Sequence, residues 1–205
     1  MCGLALACYS ATMTDKQMRA AWWAVTITYI AVTYASLGVM PALWERFNAL
    51  FGGRGVVVQY GIYLTVGLAL LHHLVWVRKE RRVWRYVIFF CFVALFLVML
   101  KMEKNPGEKI HMAQYGLLGV LTYNALKIDF DRYGSALYLV GAAVCILAGA
   151  LDEIIQGILP NRHFTWHDVL INGLSGILAL LVIRISLLQK DPDIDHTKRS
   201  SPSQL

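Results

Sequence analysis

Residues able to do chemistry fall in three short stretches of this chain. One reads Glu108-Lys109-Ile110-His111 with Tyr115 a turn later, a second reads Asp152-Glu153-Ile154-Ile155-Gln156, and a third runs from Arg162 through His167-Asp168 to Asn172. Helical spacing sorts them: His111 and Tyr115, Asp152 and Gln156, and Asp168 and Asn172 are each four apart, so each pair shares a face. Glu153 is turned by about 100° from Asp152. Two neighbouring carboxylates in a low-dielectric pocket titrate apart, one serving as acid and the other as base. Asp152 and Glu153 are therefore the candidate catalytic pair, with Asp168 or His111 assisting. Lys109 and Arg162 could hold an anionic head group, and Gln156, Asn172 and Tyr115 complete a candidate binding set. Imidazole and carboxylate at His111, Glu153, His167 and Asp168 would suit Zn²⁺ or Mn²⁺. No HExxH-type spacing is present, however, and no metal or cofactor is expected. Plainer readings stand beside these: interfacial carboxylates capping a helix end, a hydrogen-bonded structural His111, and Asn172 as helix-packing glue.

The elements that must carry these residues are set by composition. Of 205 residues, 58% are apolar or aromatic and 16% charged, with a net charge of +6 and mean hydropathy of +0.53. A soluble domain is about a quarter charged, so a soluble enzyme, a nucleic-acid module and a disordered chain are all excluded. The expected fold is all-α, a multi-pass bundle of about six spans near 21–40, 56–77, 83–100, 110–127, 134–156 and 167–188, each close to the roughly 20 residues a bilayer core requires. Trp22, Trp23, Trp44, Trp76, Trp84 and Trp166 lie at or beyond span ends, as an interfacial aromatic belt does. Of 19 Lys and Arg, only Arg46, Arg54, Lys101, Lys104, Lys109 and Arg162 fall on one side of the expected membrane; the rest, led by Arg78-Lys79-Glu80-Arg81-Arg82, share the other side with both termini. The positive-inside rule then places both termini in the cytoplasm and the loops at 41–55, 101–109 and 157–166 outside.

The fourth, fifth and sixth spans fix where chemistry can occur. Spans five and six should form an antiparallel hairpin turned at Pro160-Asn161, and Gly173, Ser175 and Gly176 allow close helix approach. All three polar stretches then meet at the outer end of the bundle. Cys91 and Cys145 read as small core hydrophobes, and His72-His73 as structural. The opening MCGLALACYS, faintly like a lipoprotein signal, reads as a short interfacial segment, and the tail from Lys190 as disordered. The expected division is 1–100, 101–189 and 190–205. No internal repeat of the transporter kind is evident.

At these residues the chain resembles the VanZ-like membrane protein family. Glu108, Lys109, His111 and Tyr115 follow that family's acidic-Lys-x-x-His-x-x-x-Tyr pattern with one residue fewer between Lys109 and His111. Asp152-Glu153-x-x-Gln156, Pro160-x-Arg162 and Asp168-x-x-x-Asn172-x-x-x-Gly176 follow its second and more specific pattern. Asn161 replaces a frequent Gly, a tolerable exchange where a turn needs positive φ, and Leu180 stands where a small residue is common, implying looser packing there. The resemblance covers about 101–185. It implies a multi-pass protein of the bacterial cytoplasmic membrane with envelope-facing polar residues and a role in glycopeptide (teicoplanin-type) tolerance or envelope maintenance. The expected partners are the bilayer and a lipid-linked precursor, head group or glycopeptide. An intramembrane enzyme acting on a lipid-linked or amphipathic envelope substrate is the alternative reading. A transporter ranks last, since the polar groups sit at one end only.

Overall fold

A computed structural model describes residues 14–103, 105–130, 134–160 and 162–187; the readings made for the opening segment, Lys104, Asn161 and the polar tail lie outside them. Among the described residues the chain is all-helical: α1 (Asp15–Ser36), α2 (Met40–Leu50), α3 (Gly55–His72, continued by a π-helical turn His73–Val77), α4 (Val83–Met102), α5 (Lys109–Leu126), α6 (Ser135–Ile158) and α7 (Trp166–Val182, continued by a second π turn Ile183–Leu187). Four of these, over Gly55–Val77, Val83–Met102, Ser135–Ile158 and Trp166–Ile185, are long and apolar enough to cross a membrane. The pair α1 and α2, bent by 83°, supplies a fifth if it counts as one span.

The helix α2 occupies most of the stretch 41–55, where a loop is expected from the sequence. Pro41 stands in its first turn, where a missing N–H costs nothing. Gly52 and Gly53 end it with φ of +58° and +80°, values that favour glycine. The α2 residue Trp44 packs over Gly107, so α2 lies at the same end of the bundle as the 103–108 connection.

At the centre stands α5, flanked by α1, α6 and α7. It is 18 residues long, about 27 Å at helical rise, and carries Lys109, His111, Gln114 and Asn124. Those polar residues lower its hydropathy below that of the other spans, and its neighbours shield it; Met112, Tyr115, Leu118, Thr122, Ala125 and Leu126 are all buried. Helix directions follow from the pairings. Gly141 of α6 meets Leu126 and Leu180, while Gly149 meets Tyr115 and Asn172. Thus α6 runs antiparallel to both α5 and α7, and its C-terminal end meets their N-terminal ends.

Small residues let these helices touch. A Cβ on Gly119 would stand 2.6 Å from the Gly176 carbonyl, and one on Gly176 would overlap the Cys145 side chain. Backbone contact of this kind is how helices pack tightly in membranes. Leu180, where the family pattern implied looser packing, is 1% exposed and fills the space over Gly141. Cys145 is core, but Cys91 is exposed on the outer face of α4, which corrects its reading as a core residue.

The two ends of the bundle differ. At one, Arg19 pairs with Asp129 at 2.9 Å, Lys127 lies over the Trp22 and Tyr123 rings, and Arg184 lies over Tyr138. At the other, the N-termini of α5 and α7 and the C-terminus of α6 bring acidic residues together.

Candidate functional site

Local capping positions each side chain. The turn Asn105–Glu108 closes through Asn105, whose carbonyl accepts from the Glu108 and Lys109 amides at 3.1 and 3.3 Å. That makes Glu108 the residue before α5 and puts His111 on its first turn. Asp152, Glu153 and Gln156 occupy the last turns of α6. Thr165 caps α7, its hydroxyl accepting from the Asp168 amide at 3.1 Å, while its own amide donates to Glu153 Oε2 at 3.2 Å. Glu153 therefore staples the α6–α7 hairpin shut.

From these positions a continuous polar network forms. His111 Nε2 lies 3.2 Å from Glu108 Oε2, and Nδ1 lies 3.4 Å from Asp152 Oδ2. Arg162 grips Glu108 with both terminal nitrogens, Nη1 to Oε1 at 2.7 Å and Nη2 to Oε2 at 2.9 Å. It also donates to Gln156 Oε1 from Nε at 2.9 Å and from Nη2. Gln156 then donates to Glu153 at 3.0 Å, and Asn172 to Asp152 at 3.5 Å. Tyr115 stacks on His111 with centroids 6.5 Å apart, and its hydroxyl donates to the Ala148 carbonyl at 3.2 Å, an oxygen it shares with Tyr34 of α1.

Asp152, Glu153, Gln156, Asn172 and His111 are all at most 4% exposed. Buried charges persist only when paired or ligated, and the Arg162–Glu108 fork is the network's permanent cation–anion contact. Burial works to raise the Glu108 carboxyl, but the hydrogen bond and charge of His111, joined by Arg162, outweigh it and hold the group below its ordinary range. One gap remains: His111 Nδ1 and Asp152 Oδ1 are buried with no hydrogen-bond partner.

Two of the nine residues singled out from the sequence stand apart. Lys109 does not balance the carboxylates. It lies two positions from His111, about 200° around the helix, and points toward α3. There its ammonium donates to the Tyr60 hydroxyl at 3.3 Å over that ring, and Tyr63 donates to its carbonyl at 2.7 Å. Asp168 sits at the rim, where its Oδ1 faces His167 Nδ1 at 3.1 Å. A further carboxylate, Glu103 Oε2, lies 3.8 Å from the same nitrogen. Glu103, His167 and Asp168 have donor atoms all within 4.8 Å of one another and are the residues here that could hold a metal ion. Burial pushes the Glu103 carboxyl above its ordinary range, against the Asn105 amide that hydrogen-bonds it; Asp168 and Glu108 add to the rise and His167 opposes it.

Sequence reasoning quoted Glu108 as part of a pattern without giving it a role, and it missed Glu103 and Thr165. The Thr165-x-x-Asp168 spacing is a helix-start signature that could have found Thr165. Glu103 lies in the polar run Lys101-Met102-Glu103, where nothing in the sequence separates a solvated charge from a buried one.

A helical bundle with four or five apolar spans and ionisable side chains closed into one end is a polytopic membrane protein. Residues 101–188 match the family model described as VanZ/LLP1, so this part of the chain is a VanZ-like domain. No curated protein and no solved structure matches the chain. The matched segment contains Glu103 and every residue of the network from Glu108 to Asn172.

Proposed function

We propose that the protein works in the bacterial cytoplasmic membrane, with its polar network turned toward the envelope, where it engages an amphipathic ligand and lowers susceptibility to teicoplanin-type glycopeptides. The ligand class is a lipid head group, a lipid-linked cell-wall precursor or the glycopeptide. One observation supports this most: within the VanZ-like segment, the ionisable groups of three helices gather at a single end, with the half-exposed His167 and the partly exposed Asp168 at the rim beside the mostly buried Glu108–His111–Arg162 network. The test compares teicoplanin susceptibility and envelope lipid and precursor profiles between deleted cells, complemented cells, and cells carrying Asp152→Asn at normal protein level. Unchanged susceptibility and composition on deletion would remove the reading.

A second reading is an intramembrane enzyme acting on a lipid-linked or amphipathic envelope substrate. It is supported by His111 set between two carboxylates, Nε2 3.2 Å from Glu108 Oε2 and Nδ1 3.4 Å from Asp152 Oδ2, as the base of a proton-transfer site is. Accumulation of one envelope species in Asp152→Asn or Glu153→Gln cells identifies substrate and reaction together. If both variants leave every envelope profile and phenotype intact, no catalysis runs through this pair.

A further inference from the structure

We propose that Glu103, His167 and Asp168 form a divalent-cation site of the Zn²⁺ or Mn²⁺ kind at the rim of the network. The three come from two separate elements, Glu103 from the end of α4 and the adjacent His167 and Asp168 from the first turn of α7, and they converge on one imidazole nitrogen. An ion holding four ligands at roughly 2.0–2.2 Å sets neighbouring ligand atoms about 3.4 Å apart. His167 Nδ1 stands 3.1 Å from Asp168 Oδ1 and 3.8 Å from Glu103 Oε2, distances on either side of that value.

Charge argues independently in the same direction. Glu103 is 7% exposed. Its Oε1 accepts from the Asn105 amide at 3.0 Å, whereas Oε2 points at His167 from beyond hydrogen-bond reach. Among the described residues, His167 is the chargeable base within ion-pair distance of Glu103 and of Asp168 alike. Arg162 is committed to Glu108 and Gln156. Among the described residues the two carboxylates thus share one imidazole, whose single charge matches only one of them, and leaving the buried Glu103 carboxylate underpaired is costly. A divalent cation cancels both charges. The His167 side chain is 42% exposed, so the remaining coordination positions open outward, where water or a phosphate or carboxylate oxygen of a ligand can enter. No HExxH-like spacing marks the site in the sequence because its third ligand lies more than sixty positions upstream.

The test is metal binding by the purified full-length chain in detergent micelles, stripped with a chelator and titrated separately with Zn²⁺ and Mn²⁺. One site is expected to weaken at least about 10-fold in both Glu103→Gln and His167→Asn, and to be unchanged in His72→Asn, which removes an exposed imidazole on α3. Failure of both ions to bind, or equal binding by wild type and the two rim variants, overturns the site. Helical circular dichroism and a monodisperse elution profile confirm folding; if Glu103→Gln fails that check, His167→Asn, at a half-exposed position, decides the matter. The outcome is independent of drug susceptibility, so the metal site and the proposed function can fail separately.

Discussion

At the scale of single residues, Arg162 does two jobs with one guanidinium. It holds Glu108, the residue just before α5, and Gln156 in the last turn of α6, so the α6–α7 connection is tied back onto the helix it must not leave. A planar fork can do this and a lysine cannot. Both side chains of the pair are mostly buried, at 13% and 15% exposure. Arg162→Gln should therefore destabilise the protein by roughly 2–3 kcal/mol, read as the thermal unfolding midpoint in detergent. Glu108→Gln combined with it should recover part of the loss, because the stranded carboxylate is gone. Additive losses would show that the pair is not coupled. Acid should act through the same carboxylate. Glu108 binds its proton more weakly folded than unfolded, so its contribution is present above its ordinary value of 4.5 and is lost as pH falls through the lower folded value. Glu103 has the opposite sign: its folded value is raised, so acid relieves it. Between about pH 6 and pH 3 the loss of stability should be shallower than wild type in Glu108→Gln and steeper in Glu103→Gln. The individual residues of this network were legible in the sequence because polar side chains stand out against apolar runs. Their pairings were not: Lys109 and Arg162 look equivalent as cations, and only the helical phase of Lys109 sends it to Tyr60.

At the scale of elements, the network depends on how closely α5, α6 and α7 approach. Gly119 faces a backbone carbonyl that has no flexible end to move aside, so Gly119→Ala must push α5 from α7. Overpacking of this kind costs about 1–3 kcal/mol, and the separation should propagate along α5 to His111 and Asp152. Gly116 lies one turn away on the same helix with no heavy atom within 4 Å of its would-be Cβ. Gly116→Ala should be neutral or slightly stabilising, since alanine is the better helix former. Equal melting temperatures for the two variants would show that the α5–α7 contact carries no packing constraint. The hairpin of α6 and α7 was readable from its short polar connection and the small residues of α7. The helix α2 was not, because the apolar residues Leu43, Leu50 and Phe51 are interleaved with Trp44-Glu45-Arg46 over too few turns to display a clear period. It takes Pro41, the paired glycines and an 83° bend to set it across the end of the bundle. The interior position of α5 was equally hidden: a polar-cut span reads as a weak span until its shielding neighbours are known.

At the scale of the whole molecule, orientation decides what the network can meet. The two ends differ in charge: Arg19, Lys127 and Arg184 lie with aromatic rings at one, and Glu103, Glu108, Asp152, Glu153 and Asp168 gather near Arg162 at the other. Basic residues near span ends are retained on the cytoplasmic side, so the acidic end should face the envelope. Cysteine labelling settles this. In a background with the native cysteines replaced, Asn105→Cys lies exposed in the turn before α5, and Lys79→Cys lies exposed between α3 and α4. A membrane-impermeant maleimide applied to intact cells should label the first and reach the second only after permeabilisation. The reverse pattern would turn Arg162, His167 and the rim carboxylates toward the cytoplasm. No extracellular glycopeptide could then reach them, and the ligand would have to be sought among cytoplasmic precursors and inner-leaflet head groups. Labelling thus tests the sidedness that the proposed function needs while leaving the internal geometry of the network untouched.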